Sequence, residues 1–160
     1  TERDMAPYQM SGDAQRWTGE AHFLGAYLPW DSRQNARIAN EMGMRQIMVS
    51  KANWWLSENQ DNAQTGLHDH MMYRKYGFGR GCQQISVDVR QGRMSRQNAL
   101  EWAQIFDGWF PDVYAGVPIE EVLAPLDISL DRLFEIMEGF TNHELFARED
   151  KGRPILKELA

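Results

Sequence analysis

The stretch RKYGFGRG, residues 74–81, combines residue types that suit contact with an anion. Gly77 and Gly79 let the backbone approach a ligand closely, and Lys75 and Arg80 supply positive charge beside them. A helix beginning near Arg80 would add free N–H groups and the positive end of its dipole. The spacing matches neither the dinucleotide fingerprint nor the phosphate loop. The residues alone therefore favour a plain corner between two helices over a ligand-binding loop.

The helix expected after this corner, at about residues 80–91, carries a polar stripe. Arg80, Gln84 and Asp88 recur at four-residue spacing, which places them on one face of the helix, opposite an apolar stripe. The stripe begins with a cation, so it suits either a solvated face or a polar site next to the corner.

Three arginines follow around Gly92, at Arg90, Arg93 and Arg96. Cations at the C-terminus of a helix interact favourably with its dipole, which is the simplest explanation. Arginine forks also bind carboxylates and phosphates through two parallel hydrogen bonds, so an anion clamp is the alternative.

Metal and thiol chemistry receive little support from the sequence. His68 and His70 flank Asp69, but side chains two positions apart on a helix point about 200° away from each other and do not share one ion. We predict no metal site, and surface or capping roles for both histidines. Cys82 lies in the first turn of a helix, where a thiol pKa can fall. It also lies on the apolar stripe, which favours a buried, unreactive side chain.

The chain has 160 residues, 42% of them hydrophobic, which suits one globular domain with a real core. Its net charge of −6 argues against nonspecific binding to nucleic acid or to an anionic membrane. The chain contains no apolar run of 18 residues that would predict a membrane span. The single cysteine excludes an internal disulfide and predicts a reducing, cytoplasmic compartment. Because the chain does not begin with Met, we expect a fragment or a processed product.

The elements that must position these residues are mostly helical. Residues 1–20 are predicted to be an irregular lead-in, and the apolar run at 21–30 a buried strand. A helix then begins after Asp31, which forms a capping-box pattern with Gln34, and ends near Gly43. Residues 46–56 are ambiguous, and we favour helix there.

Further helices are predicted at about 67–76 and 80–91, and after the caps Ser95 and Ser129, with a loop at 108–118. A second capping box at Thr141 precedes a short last helix. Residues 148–160 are predicted to be a loosely held, charged tail. The predicted fold is therefore mainly α, a helical array with one or a few short strands.

Several motifs in this order resemble the C-terminal part of the N-acetyl sugar amidotransferases of surface-polysaccharide biosynthesis. The run HDHMMYRKYGFGRGCQQISVDVRQGRMSRQNALEW resembles the family's acidic residue, Lys-aromatic-Gly-aromatic-Gly-Arg segment, acidic-Val-Arg-x-Gly helix end and Ser-Arg step. Upstream, AYLPWDSRQNARIANEMGM resembles its Trp-Asp segment, and downstream LDISLDRLFEIMEGFTNHELF resembles its closing helices. The match covers about residues 22–147. It implies that 21–147 is the C-terminal helical region of a longer α/β enzyme of the adenine-nucleotide alpha-hydrolase-like (PP-loop) type.

The resemblance also implies a substrate site. At matching positions, the residues expected to bind substrate are Trp30, Asp31, Asn35, Asp69, Lys75, Arg80, Asp88, Arg90 and Arg96. Trp30 is expected to stack on a sugar ring, and the aspartates to orient the cations or bind sugar hydroxyls. Gly77 and Gly79 are expected to face the cofactor. No catalytic residue is assigned, and Cys82 stands where the family commonly has another residue, which argues against a required thiol.

In the implied reaction, ATP with Mg²⁺ adenylates the N-acyl oxygen of an acidic sugar, and ammonia from a separate glutaminase subunit displaces AMP. An acetamido group becomes an acetamidino group, as in nonulosonic acids. The family's Ser-Gly-Gly-x-Asp-Ser nucleotide loop and its zinc-binding cysteines do not occur in this sequence. We therefore expect ATP, Mg²⁺ and any Zn²⁺ to bind mainly outside these residues, and the chain alone to be inactive.

The alternative function is a non-catalytic helical docking module for a glutaminase or another protein, and a plain structural cap is a third option. In a docking module, Trp54, Trp55 and the stretch 102–109 would form the contact surface. We further expect Lys75, Arg80 and Arg90 to share one cavity for anions, which a part of the protein outside these residues completes.

Overall fold

The structure, a computed structural model, describes residues 19–150 and 152–157. These residues are mainly helical, as the sequence predicts, with two small antiparallel strand pairs. They belong to two compact units, one ending at Asp31 and the other beginning at Ser32. Most of the predicted lead-in lies outside the described residues. Within the described ranges, no helix combines the length and apolar character needed to cross a membrane.

Six α-helices are present among the described residues, all in the second unit. They are α1 (Ser32–Glu41), α2 (Thr65–Tyr76), α3 (Arg80–Arg90), α4 (Arg96–Phe106), α5 (Ile119–Leu123) and α6 (Leu130–Phe140). The strands form two hairpins, β1 (Val113–Tyr114) with β2 (Val117–Pro118) and β3 (Phe146–Asp150) with β4 (Arg153–Leu156). Short 3-10 turns lie at Leu24–Ala26 and Ala124–Leu126.

The run at 21–30 does not form the predicted buried strand. Its centre is the 3-10 turn at Leu24–Ala26, and its large side chains are exposed, Trp30 to 63%. No strand among the described residues pairs with it, so an extended conformation would leave its N–H and C=O groups without a ladder. Gly25 and Pro29 also interrupt the run.

Helix α1 confirms its predicted bounds. It begins directly after Asp31 and ends before Gly43, whose φ of 99° lies in the left-handed region that favours glycine. Its apolar face, however, is not covered in the second unit, because Ile38 and Met42 are both exposed.

The core of the second unit lies where α5 and α6 pack against α2. Its buried members are Ile119, Leu123, Leu133 and Met137. Leu67 and Met71 of α2 pack against this cluster. The predicted cap of α6 is confirmed, since Ser129 Oγ accepts a hydrogen bond from the N–H of Arg132 at 3.2 Å.

The cap of α4 is confirmed in the same way, since Ser95 Oγ accepts from the N–H of Asn98 at 3.2 Å.

Arg74 joins α2 to the chain that follows α6. Its buried guanidinium donates to Thr141 Oγ1 at 2.9 Å and to Glu149 Oε2 at 2.8 Å. Its carbonyl accepts from the N–H of Asn142 at 2.9 Å. These bonds hold residues 141–145 in turns, so the short last helix predicted there does not form.

The β3–β4 hairpin occupies much of the predicted loose tail. Phe146 is buried against Tyr73, whose hydroxyl donates to the carbonyl of Pro154 at 2.9 Å. Arg153 Nε donates to the carbonyl of Asp107 at 2.8 Å. The charged side chains of β3 are exposed while its backbone pairs with β4, so the prediction of loose attachment is wrong for residues 148–150 and 152–156.

Residues 49–58, called here the central loop, do not form the predicted helix. The N–H groups of Trp54 and Trp55 donate to Gln84 Oε1 at 2.7 and 3.0 Å, not to carbonyls four residues earlier. Val49 and Asn53 are buried as well. Contacts with distant residues therefore override the local helical preference.

Candidate functional site

The polar stripe predicted on α3 faces inward, onto the central loop. Gln84 and Asp88 are 2% and 1% exposed, and Arg80 is half-buried. Ile85 on the opposite side is buried too, so α3 is covered on both faces. Buried polar groups are stable only when they are hydrogen-bonded. The side chains of Asp69, Arg80, Gln84 and Asp88, with their partners, are called here the α3 network.

Asp88 collects donors from three parts of the chain. Arg93 Nε lies at 2.7 Å, Trp54 Nε1 at 2.9 Å and Arg33 Nη1 at 3.1 Å from its carboxylate oxygens. Burial alone would raise the pKa of Asp88, but these donors and the charge of Arg33 outweigh burial and lower it. The ionised carboxylate therefore ties α1 and the central loop to the end of α3.

Gln84 extends the network along the central loop. Its Oε1 accepts the two tryptophan N–H groups described above, while its Nε2 donates to Glu58 Oε2 at 3.0 Å. One buried amide therefore holds both the middle and the end of the central loop.

Arg80 and Asp69 form a two-pronged ion pair at the start of α3. Arg80 Nε and Nη2 each lie 2.9 Å from one oxygen of the buried Asp69 carboxylate. Burial disfavours the charged guanidinium, but the hydrogen bonds and charge of Asp69 prevail and raise the pKa of Arg80. This geometry fixes the orientation of Arg80.

The charges of this ion pair affect the pKa of Tyr114 in β1. Burial, followed by the negative charge of Asp69, raises the pKa of Tyr114 to about 12. Its phenol is therefore protonated at neutral pH.

The glycine corner, residues 77–81, binds an anion that belongs to the chain itself. Asp107 at the end of α4 accepts from the N–H of Gly79 at 2.9 Å and from the N–H of Cys82 at 3.0 Å. A Cβ on Gly81 would lie 2.8 Å from Asp107 Oδ1, so glycine is what permits this approach. Burial raises the pKa of Asp107, although the backbone amides oppose the shift.

This arrangement corrects the expected role of the two glycines. The N–H of Gly77 donates to the carbonyl of Tyr73 at 2.8 Å, and its φ of 78° ends α2. The N–H of Gly79 is bound by Asp107. Neither amide faces a cofactor in this structure, so the segment is the corner that its residues alone favour.

Cys82 behaves as the sequence predicts for an unreactive side chain. It is half-buried, and burial, with a further contribution from the charge of Asp107, raises the pKa of its thiol. The thiolate that a nucleophile requires is therefore disfavoured.

The other predicted cations do not surround one cavity. Lys75 is exposed, with Nζ 5.3 Å from the centroid of the neighbouring tyrosine ring. Arg90 is exposed and donates to a serine hydroxyl one turn earlier at 3.0 Å, and Arg96 is exposed at the start of α4. Arg80 and Arg90 stand at opposite ends of α3, about 15 Å apart along its axis. The predicted pocket of Lys75, Arg80 and Arg90 is therefore not present among the described residues.

Three further predicted residues lie in the segment 30–35, before α1 and in its first turn. Trp30 and Asp31 lie at the end of the first unit, and Asn35 is exposed on α1. Their contacts with substrate stay a prediction.

A pocket of about 360 Å³ lies between α1 and the central loop. It is lined by Arg33, Ala36, Arg37, Asn40, Gln46, Trp54, Trp55, Leu56 and Ser57. The sequence-based prediction missed it by following the apolar face of α1. Two signals point to it, the i, i+4, i+7 spacing of Arg33, Arg37 and Asn40 and the tryptophan doublet.

Among the described residues, no group of three His, Cys, Asp or Glu side chains is arranged to hold a metal ion. His68 is exposed beside Asp69, but His70 is buried, which corrects the predicted surface or capping role. His70 Nε2 accepts from Arg74 Nε at 2.9 Å, and Nδ1 lies 3.2 Å from the carbonyl of Trp109. Burial and the charge of Arg74 lower the pKa of His70 to about 4.

This pKa predicts a loss of stability in mild acid. The folded-state pKa of His70 lies below that of an unfolded histidine, so its contribution is complete above about pH 6.5 and is lost as the pH falls towards 4. We expect the unfolding free energy to drop by about 2 kcal/mol between pH 7 and pH 5, as measured by urea denaturation. His70→Gln should remove most of this drop, whereas His68→Gln at the exposed neighbour should retain it. If the free energy of unfolding of His70→Gln falls between pH 7 and pH 5 as much as that of the parent, the assignment of this pH dependence to His70 is wrong.

Comparison with known families gives one finding. A family model described as LPS biosynthesis protein WbpG-like, C-terminal domain, matches residues 43–159. The matched range contains the central loop, α2 to α6 and both hairpins, and therefore most of the second unit. A search among curated proteins finds no match to the chain.

Proposed function

Because this chain belongs to the family described as LPS biosynthesis protein WbpG-like, C-terminal domain, we propose that it is the sugar-binding part of an ATP-dependent amidotransferase. In this proposal the whole enzyme converts the acetamido group of an acidic N-acetyl sugar into an acetamidino group during surface-polysaccharide biosynthesis. A glutaminase subunit supplies the ammonia.

The observation that carries the proposal is the α3 network. Asp69, Arg80 and Asp88 are matched by the resemblance to sugar amidotransferases, and all three form ion pairs along α3, Asp69 with Arg80 at its start and Asp88 with Arg33 and Arg93 at its end. Buried ion pairs contribute little net stability compared with apolar residues of the same size. Buried ion pairs at this place therefore indicate a functional role, in which the protein holds polar groups and the loop above them in fixed positions.

The described residues do not themselves fit a nucleotide with its metal ion. Asp107 occupies the N–H groups at the start of α3, and no acidic or histidine cluster among the described residues suits Mg²⁺ or Zn²⁺. The proposal therefore assigns ATP, both metals and the adenylation step to another part of the protein. The role of this chain is to bind the sugar and to orient it.

The proposal is tested on the full-length protein. It is incubated with ATP, an ammonium salt and acidic N-acetyl sugars, and mass spectrometry follows AMP and the amidine product. We expect ATP-dependent amidine from an acidic N-acetyl sugar and none from a sugar that lacks the N-acetyl group. If none of the acidic N-acetyl sugars gives amidine, the proposal is wrong.

Arg80→Lys tests whether the α3 network serves the reaction. Lysine retains the positive charge but not the two-pronged geometry, so we expect kcat/KM to fall about tenfold. The melting temperature checks that the variant is folded. Arg132→Lys on the exposed face of α6 is the matched control and should retain full activity. If kcat/KM is unchanged in Arg80→Lys, Arg80 does not belong to the site.

A docking module is the second candidate. Leu100, Trp102 and Ile105 of α4 are exposed apolar side chains that favour a protein contact. Trp54, in contrast, packs against Trp102 and Phe106, with ring centroids 5.1 and 5.2 Å away, so α4 already covers part of its ring. The effect of Arg80→Lys on turnover separates a catalytic part from a module that only docks.

A further inference from the structure

We propose that the pocket between α1 and the central loop binds the carboxylate-bearing ring of the sugar. The identity of this ligand rests on the proposed function, whereas the pocket is given by the structure.

The size of the pocket suits a single substituted sugar ring. Its volume of about 360 Å³ falls in the range of small-molecule sites. Its lining residues lie on two elements of the second unit, one face of α1 and the middle of the chain at 46–57.

The charge of the pocket suits an anion. Its nine lining residues include Arg33 and Arg37 and no aspartate or glutamate. The chain as a whole carries a net charge of −6, whereas the charged residues that line the pocket are positive. An anionic ligand is therefore attracted to this face more than to the surface at large.

The two arginines have different roles. Arg33 is held by Asp88 at 3.1 Å, and its guanidinium carbon lies 5.9 Å from the centroid of the Trp55 ring. Arg37 is 70% exposed, and its contact with Glu41 at 3.8 Å is a loose surface pair. Such pairs contribute little, so a ligand carboxylate competes well for the Arg37 fork.

The remaining walls suit the rest of a sugar. Trp54 is half-buried and offers aromatic surface for the apolar face of a sugar ring, and its bond to Asp88 holds it in place. Trp55, 6% exposed, forms the back of the pocket. Asn40 and Gln46 supply amides for hydroxyl or N-acetyl groups.

The test is calorimetric titration of the full-length protein with three probes. They are 2-acetamido-2-deoxyglucuronic acid, N-acetylglucosamine, which lacks the carboxylate, and UDP, which carries phosphate. We expect the acid to bind at least tenfold more tightly than the neutral sugar. Equal affinity for the two sugars overturns the proposal. UDP binding that Arg37→Met weakens as much as it weakens binding of the acid identifies a phosphate site in the pocket instead and also overturns the proposal.

Arg37→Met tests whether the preference for the acid arises in this pocket. The side chain is exposed and methionine favours helix, so folding should be unaffected. We expect about tenfold weaker binding of the acid and unchanged binding of the neutral sugar, while Arg132→Met on α6 changes neither. An acid affinity that Arg37→Met leaves unchanged overturns the assignment.

Kinetics separate failure of the pocket from failure of the proposed function. If amidine forms but Arg37→Met leaves KM for the acid unchanged, the pocket proposal is wrong and the proposed function stands. If no amidine forms while the Arg37-dependent preference for the acid persists, the pocket stands as an acidic-sugar site and the proposed reaction is wrong.

Discussion

Replacing Asp88 with alanine is expected to lower the free energy of unfolding by about 3 kcal/mol. The carboxylate is 1% exposed and accepts from Arg93, Trp54 and Arg33. Its removal leaves the half-buried indole N–H of Trp54 without this acceptor and deprives Arg33 and Arg93 of their bonds to Asp88. The side chains of Arg33 and Arg93 are 48% and 33% exposed, so both can regain water, which limits the loss.

Urea denaturation measures this loss, with Asp61→Ala in the exposed loop before α2 as the control, expected within about 0.5 kcal/mol of the parent. Hydrogen exchange should quicken in α1 and the central loop. Because the folded-state pKa of Asp88 is lowered, its contribution is present above the ordinary aspartate pKa and is lost as the pH falls through the folded-state value. The difference between parent and Asp88→Ala should therefore narrow below about pH 4. A variant as stable as the Asp61 control would show that the α3 network does not hold α1.

The same substitution, glycine to alanine, is expected to have opposite effects in α3 and α6. At Gly81 a Cβ would lie 2.8 Å from both Asp107 Oδ1 and Phe106 Cβ. The carboxylate must then move away from the amides that it caps, and we expect a loss of about 2 kcal/mol or more. At Gly139 in α6 nothing lies within 4 Å of the added carbon, so alanine should stabilise by about 0.5–1 kcal/mol through its helix propensity.

Thermal unfolding of the two variants beside the parent provides the measurement. In a protein of this size, 1 kcal/mol corresponds to about 2–4 °C in Tm. We expect a lower Tm for Gly81→Ala and a higher Tm for Gly139→Ala. A Tm of Gly81→Ala equal to or above that of the parent would mean that the close approach of Asp107 does not matter for stability.

The parts of the fold that depend on neighbouring residues were predictable from the sequence. Ser95, Ser129 and the left-handed Gly43 mark helix ends where the structure has them, because caps act over three or four residues. The central loop was not predictable in this way. Its backbone N–H groups bind Gln84, about thirty positions later, and no local pattern reports such a partner.

The same distinction applies to the candidate site, where local patterns were predictable and contacts between distant residues were not. The four-residue spacing of Arg80, Gln84 and Asp88 predicted a shared face, and periodicity alone left open whether that face was buried. The residues of the glycine corner favoured a plain turn, as the structure has it, but they could not indicate that Asp107, from the end of α4, binds there. The cationic face of α1 was missed because an apolar stripe is the stronger signal in a helix, although here it is the exposed one.

Asp107 also closes one type of anion site in this protein. Because it accepts from the backbone N–H groups at the start of α3, these groups are not free to bind a phosphate. In the proposed pocket, recognition of an anion would then depend on flat guanidinium groups, which match a planar two-oxygen partner. A chain that satisfies its own helix end in this manner offers nucleotides one site fewer.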